Sequence, residues 1–230
     1  IDMGGKIRFN VAKFGAKVAS QVSKFGFGSG NNLPGYVFYK IAGKEALKDL
    51  AHEMSIGPIL ITGTNGKTTT TTLLIKLLSA DTKIRKSFES NTIHAITTGI
   101  LKGDGDLGVF EYGIRNKSYG IPDTVQRLID PVGVVYTTIS REHSQVAGVK
   151  NPFEEYVDAK SLLSQGMTRG VVISNADDPV TANIACNKRN DLHVNFYGLA
   201  IDSINDIFES DSPNCCLLYT SDAADDLIGV

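Results

Sequence analysis

The sequence predicts an α/β domain with a mainly parallel sheet and flanking helices, and three observations carry that expectation. Short, uninterrupted apolar runs rich in β-branched residues recur at 59–61, 107–110, 132–136 and 171–173. Runs of this kind suit parallel strands buried on both faces. Stretches with helical patterning lie between them, at 69–79, 122–129 and 152–164, and such alternation indicates a parallel sheet covered by helices. Finally, each run ends in polar or glycine residues: Thr62-Gly63, Glu111, a segment leading to His143, and Asn175-Ala176-Asp177-Asp178. Open parallel sheets bind ligands outside the carboxyl ends of their strands, so four strands are expected to deliver polar groups to one edge.

Composition sets the outer bounds. A chain of 230 residues with 42% hydrophobic content suits one good-sized domain plus extensions. A net charge of −2 argues against a general nucleic-acid binder. No apolar run approaches a membrane span, and no charged-then-apolar leader is present. A cytoplasmic protein is the default expectation.

The chain divides into an N-terminal extension (1–55), a central domain (56–208) and a C-terminal end (209–230). Within 5–25, Ile7, Val11, Phe14, Val18, Val22 and Phe25 recur at spacings of three and four. Lys6, Arg8, Lys13, Lys17 and Lys24 are interspersed, with no acidic residue. This is the pattern of a basic amphipathic helix, which suits peripheral contact with an anionic membrane or packing on a protein core. Glycine-rich 26–35 reads as a flexible loop, and about 44–54 as a second helix. From residue 216 the chain resembles a translated library adapter, so the protein is expected to continue past Cys215.

The first apolar run feeds Thr62-Gly63-Thr64-Asn65-Gly66-Lys67-Thr68-Thr69. Glycines let a backbone approach phosphates, and the N–H groups of a loop and helix N-terminus point at an anion. Lys67 can meet the β/γ-phosphates of a nucleoside triphosphate, and the Thr68 hydroxyl can sit on Mg²⁺. The generic phosphate-loop pattern is not fully met, because Ile61 stands where its first glycine belongs. Gly63 instead lies three residues before Gly66, giving a tighter loop. Glu111, a carboxylate beside such a loop, makes sense as a Mg²⁺ ligand, since Mg²⁺ takes oxygen donors from one or two carboxylates plus phosphates. In 152–164, Asn151 is placed as N-cap, Pro152 at the first helical position and Glu154-Glu155 at the positive helix end.

The loop resembles the ATP loop of the Mur ligase family, ATP-dependent amide ligases of cell-wall precursors. Folate-chain ligases share the architecture but usually carry Gly-Lys-Gly-Ser where this chain has Gly66-Lys67-Thr68-Thr69. Gly108-Val109-Phe110-Glu111-Tyr112-Gly113 resembles the family's strand ending in a metal-binding glutamate. Glu142-His143 resembles the segment after the third strand, although the family more often has Asp-His-Leu-Asp; the resemblance implies that His143 binds a second Mg²⁺. Tyr156-Val157-Asp158-Ala159-Lys160 resembles a helix whose lysine is carbamylated in several members. Asn175-Ala176-Asp177-Asp178 resembles a segment whose asparagine contacts adenine; an Asx-type turn explains the same residues.

The resemblance implies ATP with Mg²⁺ as the cofactor, held by Gly63, Thr64, Asn65, Gly66, Lys67, Thr68, Thr69 and Asn175. Thr68, Glu111 and His143 are its metal ligands, and Lys67, Lys160 and His143 its catalytic groups. The implied partners are a cell-wall peptide precursor and an amino acid, joined through an acyl phosphate. Tyr112-Gly113-Ile114 and Tyr119-Gly120-Ile121-Pro122-Asp123 look most like archaeal pseudomurein peptide ligases. Asn32-Leu33-Pro34-Gly35 looks instead like a Mur-type amidotransferase subunit that works with a glutaminase partner. A small-molecule phosphate-loop kinase and a non-catalytic nucleotide-binding subunit are the remaining alternatives. Pro213-Asn214-Cys215 resembles the start of a zinc knuckle.

Overall fold

The computed structural model describes residues 3–23, 32–142, 144, 150–187 and 192–198. Six strands form one sheet: β1 (Gly57–Thr62), β2 (Ile84–Ser90), β3 (Leu107–Tyr112), β4 (Gly133–Tyr136), β5 (Val171–Asn175) and β6 (His193–Tyr197). Their order is β2-β3-β1-β4-β5-β6, and every neighbouring pair is parallel. The four apolar runs are the four inner strands. The two edges went unrecognised in the sequence, because Ile-Arg-Lys-Ser-Phe-Glu-Ser and His-Val-Asn-Phe-Tyr are half solvated and break the apolar pattern.

Side chains of the inner strands alternate between two cores. Leu60, Phe110, Val134 and Val172 face one core, while Ile61, Val109 and Val135 face the other. Both faces are therefore covered, and this is why the runs show no polar alternation. The second core is closed by α4 (Lys67–Leu78), whose Ile75, Leu74 and Leu78 pack on it. Five threonines make α4 a poor helix intrinsically, at about 0.5 kcal/mol each relative to alanine. Packing of this kind, rather than propensity, holds it in place.

The larger core lies under the remaining helices. α3 (Ala46–Ala51), α5 (Ile93–Leu101), α7 (Pro122–Ile129), α8 (Pro152–Gln165) and α9 (Pro179–Cys186) all contribute to it, with the single turn α6 (Lys117–Gly120) leading into α7. α5 and α9 were not anticipated. Each has a clear start nonetheless, with Thr92 accepting from the Ala95 N–H and Asp178 accepting from those of Val180 and Thr181. α8 opens at Pro152 as expected, but the Asn151 amide donates to Glu154 (2.7 Å) rather than capping the helix.

Two N-terminal expectations need correction. Residues 33–35, assigned to a flexible loop, open α2 (Leu33–Ala42), where Pro34 occupies the first turn and Gly35 packs against α5. A Cβ on Gly35 would lie 2.0 Å from the His94 carbonyl oxygen, so the two helices meet backbone to backbone. α1 (Met3–Ser23) forms as the periodicity indicates, but it is buried on its small residues. Ala12, Ala16 and Ala19 pack inward, whereas Ile7, Val11, Phe14, Val18 and Val22 are exposed. Phe25 and Lys24, assigned to this helix, lie outside the described residues, as do 199–230, including Cys215 and the adapter-like segment.

Candidate functional site

The loop after β1 is shaped by glycines and clamped by the chain leaving β4. Gly63 (φ 150°) and Gly66 (φ 82°) adopt backbone angles that side-chain-bearing residues rarely take. A Cβ on Gly63 would lie 2.0 Å from the Thr137 hydroxyl. That hydroxyl donates to the Asn65 carbonyl (2.6 Å), and the Thr138 carbonyl accepts from the Thr64 N–H (2.5 Å). The Thr64 hydroxyl accepts from the Ser140 N–H (3.0 Å) and shares a hydrogen bond with the Tyr156 hydroxyl (3.0 Å). The loop then runs through left-handed Gly66 into α4. No acidic residue sits in the first turn of α4, so its positive end and free N–H groups stay available to an anion.

The neighbouring strand supplies a carboxylate. β3 runs beside β1 with Glu111 opposite Ile61, which sets the acid next to the loop. Glu111 is buried and accepts from the Thr68 hydroxyl at 2.9 Å. The Lys67 ammonium donates to the Thr64 carbonyl at 2.6 Å. Burial pulls the Lys67 pKa below the ordinary lysine value, and the Glu111 charge opposes that shift.

Helix α8 adds the third component. Lys160 is fully buried, donates to the Ile114 carbonyl (2.8 Å) and lies 4.2 Å from the centre of the Tyr156 ring. Desolvation, reinforced by the charge of Lys67, pulls its pKa down to about 7. The backbone of α8 is pinned at this point, because the Tyr136 hydroxyl donates to the Lys160 carbonyl (3.0 Å). Tyr156 is also buried, and desolvation pushes its phenol pKa up.

A cavity of about 240 Å³ joins these parts. Of the residues expected at the site, Gly63, Thr64, Lys67, Glu111 and Lys160 line it. Thr68 stands beside it through Glu111. Thr69, Asn65 and Gly66 are exposed at the loop, and the Asn65 amide donates to Glu142 (3.2 Å). Asn175 sits at the end of β5, where its side-chain oxygen accepts from the Asp177 N–H (2.9 Å) and its amide donates to Thr138 (3.4 Å). It forms the Asx turn and does not line the cavity. His143 lies outside the described residues.

Lys67, Thr68 and Glu111 have the chemistry that phosphate and Mg²⁺ require. A buried carboxylate and a hydroxyl 2.9 Å apart are both oxygen donors suited to Mg²⁺, beside a lysine and an uncapped helix end suited to phosphate. No group of three or more His, Cys, Asp or Glu among the described residues could hold a metal alone. Phosphate oxygens would therefore complete its coordination.

Several cavity residues had not been singled out. Glu89 (φ 53°) is the penultimate residue of the edge strand β2 and Asn91 follows it, where the register with β3 shifts between Ser87 and Ser90. Arg115 follows β3 and adds a cation. The available signal was position after a strand end, but β2 was not recognisable as a strand. A left-handed glutamate at a cavity wall is a strained conformation of the kind that collects at functional sites.

Residues 61–214 match the family model for the Mur ligase middle domain. The chain is 30% identical over 146 residues to a UDP-N-acetylmuramoyl-tripeptide–D-alanyl-D-alanine ligase of Bacillus subtilis, covering 60% of this chain and 31% of that protein. Among solved structures it resembles MurF from Acinetobacter baumannii (TM-score 0.58, 19% identity, 74% of this chain and 35% of that one). It also resembles MurF from Thermotoga maritima in complex with ADP (TM-score 0.51, 17% identity, 69% and 37%). The chain thus spans about a third of the length of the proteins it matches.

Proposed function

Because the chain belongs to the Mur ligase middle-domain family, we propose that it is the nucleotide-binding part of an ATP-dependent carboxylate–amine ligase acting on cell-wall precursor peptides. The observation that carries this reading is the convergence of Lys67, Glu111 and Lys160 on one cavity at the carboxyl edge of the sheet.

In this reading Gly63, Thr64 and the start of α4 hold the phosphates of ATP, and Lys67 turns from the Thr64 carbonyl to the terminal phosphate. Thr68 and Glu111 would hold Mg²⁺, which supplies charge neutralisation during phosphoryl transfer. A substrate carboxylate oxygen forms a bond to the γ-phosphorus as the bond to ADP breaks, giving an acyl phosphate. The incoming amine then attacks the carbonyl carbon. Phosphate leaves, the amine loses a proton, and an amide results. The protein's share is positioning and electrostatic stabilisation of developing charge. His143 is proposed at a second Mg²⁺, and Asn175 at the adenine.

Lys160 is proposed to act as its carbamate. A carbamate forms when a neutral amine attacks CO₂ and loses a proton, and a lysine with a pKa pulled to about 7 has neutral amine available. The product exchanges a buried cation for an anion beside Lys67, which relieves the repulsion between two lysines.

The finer reading is a pseudomurein-type acceptor, supported by Tyr112-Gly113-Ile114 and Tyr119-Gly120-Ile121-Pro122-Asp123. A muramoyl tripeptide joined to D-alanyl-D-alanine is the second reading, favoured by the named activity of the Bacillus relative. The proposed setting is cytoplasmic, with ATP and amino acids at hand. The test is incubation of the protein with Mg·ATP, each wall peptide, and candidate amino acids or D-alanyl-D-alanine, read by mass spectrometry. Equal amounts of ADP and a new amide support the ligase and identify its acceptor. A phosphorylated hydroxyl without amide would replace it with a kinase, and dependence on added glutaminase and glutamine with an amidotransferase subunit.

A further inference from the structure

Helix α1 has two apolar faces, and the structure uses only the smaller. Ala12, Ala16 and Ala19 are buried, and their short side chains let α1 lie against α2. Phe9 joins them through an edge contact with Phe38 (5.5 Å), while the other large apolar side chains point away. Ile7, Val11, Phe14, Val18 and Val22 are 45–70% exposed. At the turn of an α-helix these five fall within an arc of about 80°, so they form one continuous stripe. Single exposed apolar residues are ordinary on a protein surface, but a contiguous stripe calls for an apolar partner.

The borders of the stripe indicate which partner. Lys6, Lys13 and Lys17 fall within about 40° of one another along one side, and Arg8 flanks the other. None of the 21 residues of α1 is acidic. Lys13 is paired with Glu53 (2.7 Å), while Lys6 and Lys17 are exposed. A groove of about 690 Å³ opens alongside, lined by apolar Phe14, Pro34 and Leu101 together with Lys13, Lys17 and Lys102. The chain as a whole carries a net charge of −2, so this cationic edge is a local feature.

We propose that the outer face of α1 docks on an anionic lipid surface, lying in its plane. Apolar side chains would enter the acyl boundary while the lysines reach anionic headgroups on their flexible stems. The pairing of an apolar stripe with an acid-free cationic border is complementary to such a surface. No helix among the described residues is long and apolar enough to cross a membrane, and α1 is suited to lie on one. The proposal does not depend on the nucleotide site.

Sedimentation of the 230-residue chain with vesicles tests this, using phosphatidylcholine alone or with about 30% phosphatidylglycerol to supply the negative surface. Binding is expected only to the anionic vesicles. Phe14→Ser with Val18→Ser should lower partitioning by more than about tenfold, and Lys6→Gln and Lys17→Gln by about fivefold each. All four side chains are exposed, so the melting temperature should stay unchanged and report intact folding. Failure to sediment with anionic vesicles, equal binding to neutral ones, or indifference to the lysine changes would overturn the proposal. So would a concentration-dependent dimer that Phe14→Ser dissolves, which would show that a second copy covers the face.

Discussion

The Thr68 hydroxyl donates to the Glu111 carboxylate across 2.9 Å, joining the first turn of α4 to the carboxyl end of β3. Forty-three residues separate the two in sequence, and the parallel register of β1 with β3 brings them together. The contact presents a buried negative charge to a loop otherwise built for anions. Lys67 lies close enough to feel that charge, and in the reading proposed above a Mg²⁺ ion would sit between this carboxylate and the phosphates. Replacing Glu111 with Gln keeps the shape and an acceptor for Thr68 but removes the charge. Nucleotide binding should then lose most of its dependence on Mg²⁺, while binding measured without Mg²⁺ is retained or strengthened. Calorimetric titration of ADP with and without Mg²⁺ checks this; an unaltered Mg²⁺ dependence would remove Glu111 from the metal site.

Lys67→Ala should weaken Mg·ATP binding by about 100-fold or more, the scale of losing a charge-assisted contact to phosphate. Stability should change little or rise, because the ammonium is partly desolvated. Isothermal titration alongside a thermal melt separates the two effects. Unchanged affinity would show that the phosphate-loop assignment is wrong.

Gly63→Ala should be far more damaging than Gly66→Ala. At Gly63 the new methyl meets the Thr137 hydroxyl at 2.0 Å, whereas at Gly66 the nearest atom is 3.6 Å away. We expect Gly63→Ala to cost about 2–4 kcal/mol with loss of nucleotide binding, and Gly66→Ala about 1 kcal/mol from its left-handed backbone alone. Urea unfolding of the two variants gives the comparison. Equal losses would show that the Thr137 clamp is soft.

Lys160 gives a pH dependence with a definite sign. Its folded pKa, about 7, lies below the unfolded value near 10.5. The unfolded chain therefore binds more protons between these values, and stability from this group rises with pH across pH 7–10.5 and is lost as pH falls through about 7. Lys160→Met should accordingly stabilise the CO₂-free protein at pH 6, by roughly 2–4 kcal/mol, with the gain shrinking toward pH 10. Denaturation at several pH values checks it. A gain independent of pH would mean that Lys160 is not held with a depressed pKa. Added bicarbonate should stabilise the wild type and leave Lys160→Met unchanged.

The sequence by itself determined the α/β class, the four inner strands, the glycine-bent loop after β1 and the candidate acid at Glu111. Those features are local. A strand buried on both faces must be apolar without a break, and a loop that wraps phosphate must spend glycines, so both leave marks in consecutive residues. The edge strands β2 and β6 left no such mark because solvent relaxes the demand on their side chains. Tertiary structure decided what depends on register and on which helix face turns inward. It brought Glu89 and Arg115 to the cavity, and buried Lys160 beside Lys67 so that desolvation depresses its pKa. It also settled α1 on its alanines. Periodicity reports that a helix has an apolar face, but close packing against α2 favoured the alanines and Phe9, and the stripe of Ile7, Val11, Phe14, Val18 and Val22 was left outside.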